Sequence, residues 1–269
     1  MKTPLRLMLA VLLAGALYAT AAAQTPERVE LTYIANEGFL VTGAHKKVLV
    51  DALLREGIPK YYERPSPETR QKMESAQHPF HNVNLVLATH FHRDHFDAGS
   101  VAAHLRANPQ ATFVSVHEAT ELVHKEFAAS APENARIRTT TPEYGHKVAL
   151  TISEIPLQVI RLRHGKFQNT GFLFTVAGKK ILHLGDSDGE VSNFDVFDLE
   201  KEQIDVALVP YWYFLSAEGK RVVQEHIRAR NVIAFHVSLD DDGKRDTERI
   251  RREFPAVIIA TQPGARWTF

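Results

Sequence analysis

Three histidines and an aspartate fall within six positions of this chain and are its clearest candidates for a chemical role: His90, His92, Asp94 and His95. They follow the apolar run 84–88, which predicts a buried strand that ends at residue 89. In an extended loop, residues i, i+2 and i+4 point the same way, so His90, His92 and Asp94 should converge while His95 faces aside. Because imidazole and carboxylate both bind metals, this geometry favours two neighbouring ions over a histidine-rich surface loop.

Four more polar residues stand where apolar strands are predicted to end: Asp51, His164, Asp186 and His236. Ligands of open α/β sheets gather at the carboxyl ends of strands, which makes these positions candidates for the same site. A buried carboxylate must be hydrogen-bonded, so Asp51 should either cap the following turn or, as we favour, support the metal loop from behind. By contrast, His183 lies inside its strand and is predicted to be packed rather than a ligand.

The elements that would position these residues follow a regular order. Residues 29–35, 38–42 and 47–51 predict an antiparallel meander with a turn at Asn36-Glu37-Gly38. A β-α-β-α rhythm follows the histidine loop, and strand and helix patterns then continue to residue 260. Residues 55–82 form an insert that either builds one wall of a pocket or is a surface excursion. For the run Tyr211-Trp212-Tyr213-Phe214, the sequence favours a place in the core and a place at the border of the substrate site equally.

Composition excludes several classes of partner. Lysine plus arginine and aspartate plus glutamate both number 32, without blocks of like charge, so neither nucleic acid nor a membrane surface is an expected partner. The chain has no cysteine, which removes thiolate as a nucleophile or metal ligand. We therefore expect a small-molecule substrate and chemistry based on histidine and carboxylate; the oligomeric state is not predicted.

The first 23 residues have the pattern of a cleaved signal peptide. Lys2 and Arg6 precede an apolar run, and Ala21-Ala22-Ala23 offers the small residues that a signal peptidase requires. The run is too short for the roughly 20 residues that span a bilayer. We therefore expect one mature domain, residues 24–269, located in the periplasm or secreted, without stable membrane association.

The run from Thr89 to His95 resembles the H-x-H-x-D-H signature of the metallo-β-lactamase superfamily, and Asp51, His164, Gly185-Asp186 and His236 match its other motifs in order. The resemblance covers most of residues 29–260 and implies an α/β fold, the four-layer α/β/β/α sandwich. Gly171-Phe172 and Gly185-Asp186 are most similar to the branch of zinc-dependent hydrolases that includes ascorbate-phosphate lactonases.

The resemblance also implies roles for single residues. His90, His92 and His164 would form a first metal site, and Asp94, His95 and His236 a second. Asp186 would bridge the two, with Asp51 as the supporting acid. Asp94 and Asp186 are thus the expected catalytic acids. Two zinc ions, with manganese or iron possible, would share a hydroxide that attacks an ester, lactone or amide bond.

Two other enzymes fit the same ligand types. One is a metallo-β-lactamase proper, which the exported location would suit, although the bridging aspartate and the lack of cysteine argue against it. The other is an oxidoreductase that resembles the persulfide dioxygenases, in which similar histidines surround one iron. A nuclease fits the ligands but not the neutral charge, and a structural metal protein would be expected to close its site with four ligands.

Overall fold

The computed structural model describes residues 28–58 and 60–269. The predicted signal segment, residues 1–23, lies outside this range. Fourteen strands in the described part form two seven-stranded mixed sheets. The first sheet has the order β14-β1-β2-β3-β4-β5-β6, with β1 (Glu30–Ala35), β2 (Gly38–Gly43), β3 (Lys46–Val50), β4 (Leu85–Ala88), β5 (Thr112–Ser115), β6 (Ile137–Thr139) and β14 (Arg266–Thr268).

The second sheet is a counterpart of the first, with the order β13-β12-β11-β10-β9-β8-β7. Its strands are β7 (Lys147–Ile152), β8 (Ile155–His164), β9 (Phe167–Val176), β10 (Lys179–His183), β11 (Val206–Pro210), β12 (Asn231–Phe235) and β13 (Ile258–Ile259). In each sheet a parallel half joins an antiparallel half. Strands β3 to β6 are parallel, and so are β10 to β13.

Helices cover the outer face of each sheet. The first sheet carries α1 (Pro67–Glu74), α2 (Ala98–Ala107) and α3 (His117–His124). The second carries α4 (Ala217–Arg221), which continues as a π-helical turn over Val222–Ile227, and α5 (Asp241–Glu253). Short 3-10 helices occupy Pro132–Arg136, Val191–Asn193, Leu199–Lys201 and Tyr211–Phe214.

The alternation of side chains along the strands explains why the layers separate. Leu85 and Leu87 of β4 belong to the core between the two sheets, whereas Val86 and Ala88 belong to the core under α2 and α3. Successive strand residues point to opposite faces, so one apolar strand can fill two cores at once. The three resulting cores confirm the predicted α/β/β/α sandwich.

The structure also differs from the sequence-based elements in detail. The antiparallel meander of β1 to β3 is confirmed, and Ser66 caps α1 by accepting from the Thr69 amide. The second helix of the predicted β-α-β-α rhythm is α3, which ends at His124, and β6 and β14 were not predicted. No helix in the described ranges is both long and apolar enough to cross a membrane.

The strand ends bring the candidate residues to one edge. Parallel strands β3 and β4 end just before Asp51 and Thr89, while β10 and β12 end just before the loops that carry Asp186 and His236. Strand β8, which is antiparallel to β9 and so parallel to β10, ends at His164. The carboxyl ends of both sheets therefore meet where the candidate site lies.

Candidate metal centre

Two groups of side chains converge at this edge and share one residue. The first consists of His90, His92, His164 and Asp186, which can each offer one ligand atom within 4.8 Å of the others. The Nε2 atom of His90 lies 2.9 Å from Nδ1 of His92. Oδ2 of Asp186 lies 3.8 Å from Nε2 of both His90 and His164. Three imidazoles and one carboxylate thus surround a single point.

The second group consists of Glu37, His95, Asp186 and His236, again with ligand atoms within 4.8 Å of one another. Nε2 of His95 lies 3.3 Å from Oδ2 of Asp186, and Nε2 of His236 lies 3.3 Å from its Oδ1. Oδ2 of Asp186 thus lies near histidines of both groups, and Oδ1 lies near His236 of the second. This carboxylate is the one side chain common to both groups, as expected of a bridging ligand.

Orphaned polar atoms test whether these residues fit metal ions. Several buried atoms at the centre of the two groups have no hydrogen-bond partner within residues 28–58 and 60–269: both Glu37 oxygens, Nε2 of His95 and His164, and Oδ1 of Asp186. Buried polar groups are normally satisfied, and leaving one unpaired costs about 1–3 kcal/mol. Cations at the two points would satisfy all of them, so the donor set fits two ions.

Asp51 and Thr89 hold the histidine loop from behind. Oδ1 of Asp51 accepts from the Thr89 amide at 2.7 Å, and Oδ2 accepts from the Thr89 hydroxyl at 2.7 Å. Oδ2 also lies 3.0 Å from Nδ1 of His95. A proton on Nδ1 would leave Nε2 of His95 free to face a metal, so Asp51 is placed to orient this candidate ligand.

Asp94 lies close to the second group but is not among its four convergent residues. Its side chain is buried, and Oδ2 lies 3.7 Å from Nε2 of His236. Its backbone carbonyl accepts from the amide of Asn36 at 3.1 Å. The role of Asp94 as a ligand of the second site stays a prediction.

The electrostatics of the two groups differ. Burial and the neighbouring His95 hold the pKa of His90 well below its ordinary value, so this imidazole is neutral and ready to bind a metal. Burial also acts against protonation of His95 and His236, but Glu37 and Asp186 raise the pKa of each well above the usual range. In Asp186, His236 and His95 outweigh burial and lower the pKa well below its usual range. A metal that enters the second group must therefore displace protons.

Glu37 is the site residue that the sequence did not reveal. It lies in the turn between β1 and β2, far along the chain from every histidine of the site. Two contacts bring this turn into the centre. The backbone carbonyl of Asn36 accepts from the backbone amide of His236 at 3.2 Å, and the side-chain amide of Asn36 donates to the backbone carbonyl of Asp94. Gly38 permits the approach, since a Cβ there would lie 2.9 Å from the Asp51 carbonyl oxygen. The one signal in the sequence that pointed to Glu37 was the position of a carboxylate in the turn between two apolar strands.

His183 also approaches Glu37 and Asp51, but both of its ring nitrogens are already used. Nε2 lies 3.0 Å from the Glu37 carbonyl oxygen, and Nδ1 accepts from the Gly185 amide at 3.1 Å. The ring stacks on Phe235, with the centroids 4.9 Å apart. The packed role predicted for His183 agrees with these contacts.

A cavity of about 620 Å³ opens over the centre. His92, His164 and Asp186 form part of its floor, and Ile58, Tyr62, Phe91 and Phe167 give it apolar walls, with Arg93 at its border. Ile58 and Tyr62 belong to the 55–82 insert, so this segment forms one wall of the pocket. Trp212 lies 5.3 Å from the His236 ring, whereas Tyr213 is buried in the core. The aromatic run is thus divided between the site border and the core.

Known proteins resemble the chain in sequence and in fold. A model of the β-lactamase superfamily domain matches residues 46–242. A UPF0173 metal-dependent hydrolase from Pyrococcus abyssi is 24% identical over 246 residues, which cover 88% of this chain and 97% of the relative. The metallo hydrolase Igni18 from Ignicoccus hospitalis has a TM-score of 0.61 at 22% identity and covers 90% of this chain and 98% of its own. The metallo-β-lactamase fold protein YhfI from Bacillus subtilis gives 0.62 at 14%, with 90% and 100% covered.

Proposed function

The chain belongs to the family of β-lactamase superfamily domains, and from this premise we propose that it is a metal-dependent hydrolase that holds two ions. Its substrate would be a small molecule with an ester, lactone or amide bond. The observation that carries the proposal is the pair of donor groups that share Asp186 beneath an open cavity. Histidine and carboxylate donors favour zinc, and manganese or iron suit the same atoms.

When bound, the ions supply a water-derived nucleophile at neutral pH and polarise the oxygen of the scissile bond. The protein residues would hold the ions and orient the ligand side chains. His90, His92 and His164 would hold one ion, His95 and His236 would hold the other, and Asp186 would contribute to both. Asp51 keeps His95 in the ring orientation that binding needs.

The cavity suggests how a substrate is held. Its walls are largely aromatic, so they favour an apolar or aromatic portion of the substrate and exclude water from it. The ring of Tyr62 meets that of His236 edge to face, with centroids 4.1 Å apart. Burial, together with Asp186 and Asp94, raises the pKa of Tyr62 to about 12. Its hydroxyl therefore stays protonated and can donate a hydrogen bond.

We also propose that the protein acts outside the cytoplasm. The support is the sequence pattern of residues 1–23, which ends in Ala21-Ala22-Ala23. Terminal sequencing of protein recovered from the cell envelope should give Gln24 as the first residue. Recovery of intact Met1 from that fraction would contradict export by cleavage.

A hydrolysis panel on metal-loaded protein tests the activity. Lactones, aryl esters, β-lactams and phosphodiesters should be compared, each with wild-type protein and with His164→Ala, which lacks one donor of the first group. We expect activity on a lactone or ester that is lost in the variant. Activity confined to β-lactams would favour the β-lactamase alternative.

The single-iron oxidoreductase alternative makes a different prediction. It needs one iron and consumes oxygen with a persulfide substrate, whereas the hydrolase needs two ions and no oxygen. The presence of two donor groups supports the hydrolase. Purified protein with one iron and persulfide-dependent oxygen uptake would overturn it.

A further inference from the structure

Glu37 is a fully buried carboxylate whose oxygens find no well-aligned hydrogen-bond donor among the residues that the structure describes. Its side chain is 0% exposed, and neither oxygen has a hydrogen bond in the described residues. Yet Oε1 lies 2.7 Å from Nε2 of His95 and 2.7 Å from Nε2 of His236. A buried charge in this situation would be costly in a purely structural role, so its presence calls for a compensating group.

The atoms around Glu37 identify what that group is. Nε2 of His95 and Nε2 of His236 face both Glu37 and Asp186, so two carboxylates and two imidazoles point at the same space. A simple ion pair between Glu37 and a histidine would not need the second carboxylate. Four convergent oxygen and nitrogen donors form the set that a divalent ion accepts.

The two donor groups are unequally accessible. In the second group, the side-chain exposures of Glu37, His95 and His236 are 0%, 0% and 3%. In the first group, His90 is 0% exposed and His164 is 22% exposed. His92, His164 and the shared Asp186 line the cavity; His236 of the second group also lines it, whereas Glu37 and His95 do not. The second group is therefore the more enclosed of the two, because Glu37 and His95 lie away from the substrate cavity, whereas His92 and His164 of the first group open to it. Closed four-ligand sites are typical of firmly held ions, and open ones of ions that exchange or bind substrate.

We propose that Glu37 is a ligand of the second ion and that it makes this ion the slowly exchanging one, while the ion at His90, His92 and His164 exchanges readily. This inference rests on the two-ion function proposed above. The two-ion protein would then lose its substrate-facing metal first and retain the metal bound through Glu37. The extra carboxylate also gives the second site more oxygen donors than the first.

Chelator-driven release of metal tests the proposal. Protein loaded with cobalt(II) is mixed with excess chelator, and bound metal is followed by elemental analysis and by the cobalt absorption spectrum. Wild-type protein should lose one equivalent quickly and the other slowly. Glu37→Gln, which keeps the side-chain shape but removes the charge, should speed the slow phase by at least about tenfold. His164→Ala should remove the fast phase and leave the slow one.

The unfolding of metal-free protein separates a ligand from a structural residue. In metal-free protein, the cost of burying Glu37 offsets what its pairing with His95 and His236 contributes, so Glu37→Gln should unfold close to the wild-type temperature. The increase that metal adds to the unfolding temperature should shrink in the same variant, because that increase depends on affinity. Glu37→Asp, which keeps the charge, should restore part of the increase that metal adds to the unfolding temperature. Glu74→Gln, which removes a carboxylate paired with Arg55 away from the site, is the control and should leave both release phases unchanged.

The outcomes distinguish this inference from the proposed function. Two ions in wild-type protein, with an unchanged slow phase in Glu37→Gln, would overturn the role of Glu37 alone. A metal-free Glu37→Gln protein that is clearly less stable than wild type, with a normal increase on metal addition, would also overturn it. No more than one ion in wild-type protein would overturn the two-ion function itself.

Discussion

Nδ1 of His95 lies 3.0 Å from Oδ2 of Asp51, and the same carboxylate accepts both the amide and the hydroxyl of Thr89. One buried acid thus fixes the start of the histidine loop and the orientation of its last ring. Since β3 and β4 are parallel neighbours, Asp51 and Thr89 follow them at the same edge of the sheet. Asp51 contacts His95 directly and reaches His90 through the Thr89 hydroxyl, which lies 3.1 Å from Nδ1 of His90. It is therefore placed to orient two candidate ligands.

Replacement of Asp51 by Asn should weaken metal binding more than it weakens the fold. The side-chain oxygen of Asn can accept one of the two hydrogen bonds from Thr89, but the NH₂ group of Asn would then face the second donor. We expect the affinity for the second ion to fall by about 10–100-fold. Competition with a metal-sensitive dye measures it. Asp205→Asn is the control, because Asp205 is a buried acid that accepts the Lys180 amide away from the site. Equal loss of metal in both variants would contradict the orienting role.

Gly185 allows the chain to turn directly before Asp186. Its φ is +56°, and a Cβ there would lie 2.7 Å from Cβ of Thr89. Gly185→Ala should therefore displace Asp186 as well as strain the backbone. Gly178 is the matched control, since its φ is +70° but no atom lies within 4 Å of an added Cβ.

We expect Gly178→Ala to lower the free energy of unfolding by about 1–2 kcal/mol through the left-handed backbone alone. Gly185→Ala should cost more and should also reduce the metal content, measured by elemental analysis. Unchanged metal content in Gly185→Ala would mean that the turn tolerates the clash without moving Asp186.

The strand-end residues could be predicted because the edge they share follows from simple rules. Apolar runs define β4, β10 and β12, and the polar residue after each run must lie at the carboxyl edge of a parallel strand. The fold followed from the same alternation and from the resemblance of the histidine loop. Both conclusions depend on local pattern, which a single sequence contains.

Glu37 and β14 could not be predicted in the same way. Glu37 reaches the centre because the β1–β2 turn contacts the loops of Asp94 and His236, which are distant in sequence. Strand β14 pairs with β1 across almost the whole described chain, with Thr268 opposite Glu30. Neither contact has a periodic signal, since each is determined by the packing of elements that are already formed.

Glu202 gives the stability of the fold a dependence on pH that is independent of the metal centre. It accepts from Lys180 at 2.9 Å and from Lys147 and Gln158 at 3.2 Å. Partial burial opposes ionisation, but these donors outweigh it and lower the pKa of Glu202 to about 2. A carboxyl whose pKa is lower in the folded than in the unfolded state stabilises the fold above the unfolded pKa, and this stabilisation is lost as pH falls toward the folded pKa.

We therefore expect Glu202→Gln to lower the free energy of unfolding by about 1–2 kcal/mol at pH 7, once solvent screening is allowed for. The difference from wild type should decrease below about pH 4.5 and vanish near pH 2. Denaturant unfolding across this range measures it. Glu154→Gln removes an exposed partner of Lys46 and should show no measurable pH-dependent change. A difference between wild type and Glu202→Gln that persists at pH 2 would contradict the assignment.

Asp186 and His183 are close neighbours in sequence, but their replacement should affect different properties: metal binding and activity for Asp186, and stability for His183. Asp186 faces four histidines of the two donor groups, so it is the one carboxylate that can offset the charge of both ions. Asp186→Ala should lower the occupancy of the second site and reduce kcat/KM by more than the roughly 10–100-fold that loss of an outer partner costs. The metal-free fold also loses the pairing of Asp186 with His95 and His236, so the loss of metal and activity, rather than an unchanged stability, distinguishes this variant.

His183→Ala should instead act through stability. The change leaves the Glu37 carbonyl oxygen without its donor and removes a ring that stacks on Phe235, so a loss of about 3 kcal/mol in the free energy of unfolding is expected. Elemental analysis, steady-state kinetics and denaturant unfolding of both variants separate the two effects. If Asp186→Ala kept both metals and nearly full activity, Asp186 would not be a bridge. The β-lactamase alternative, which does without that bridge, would then fit this centre better.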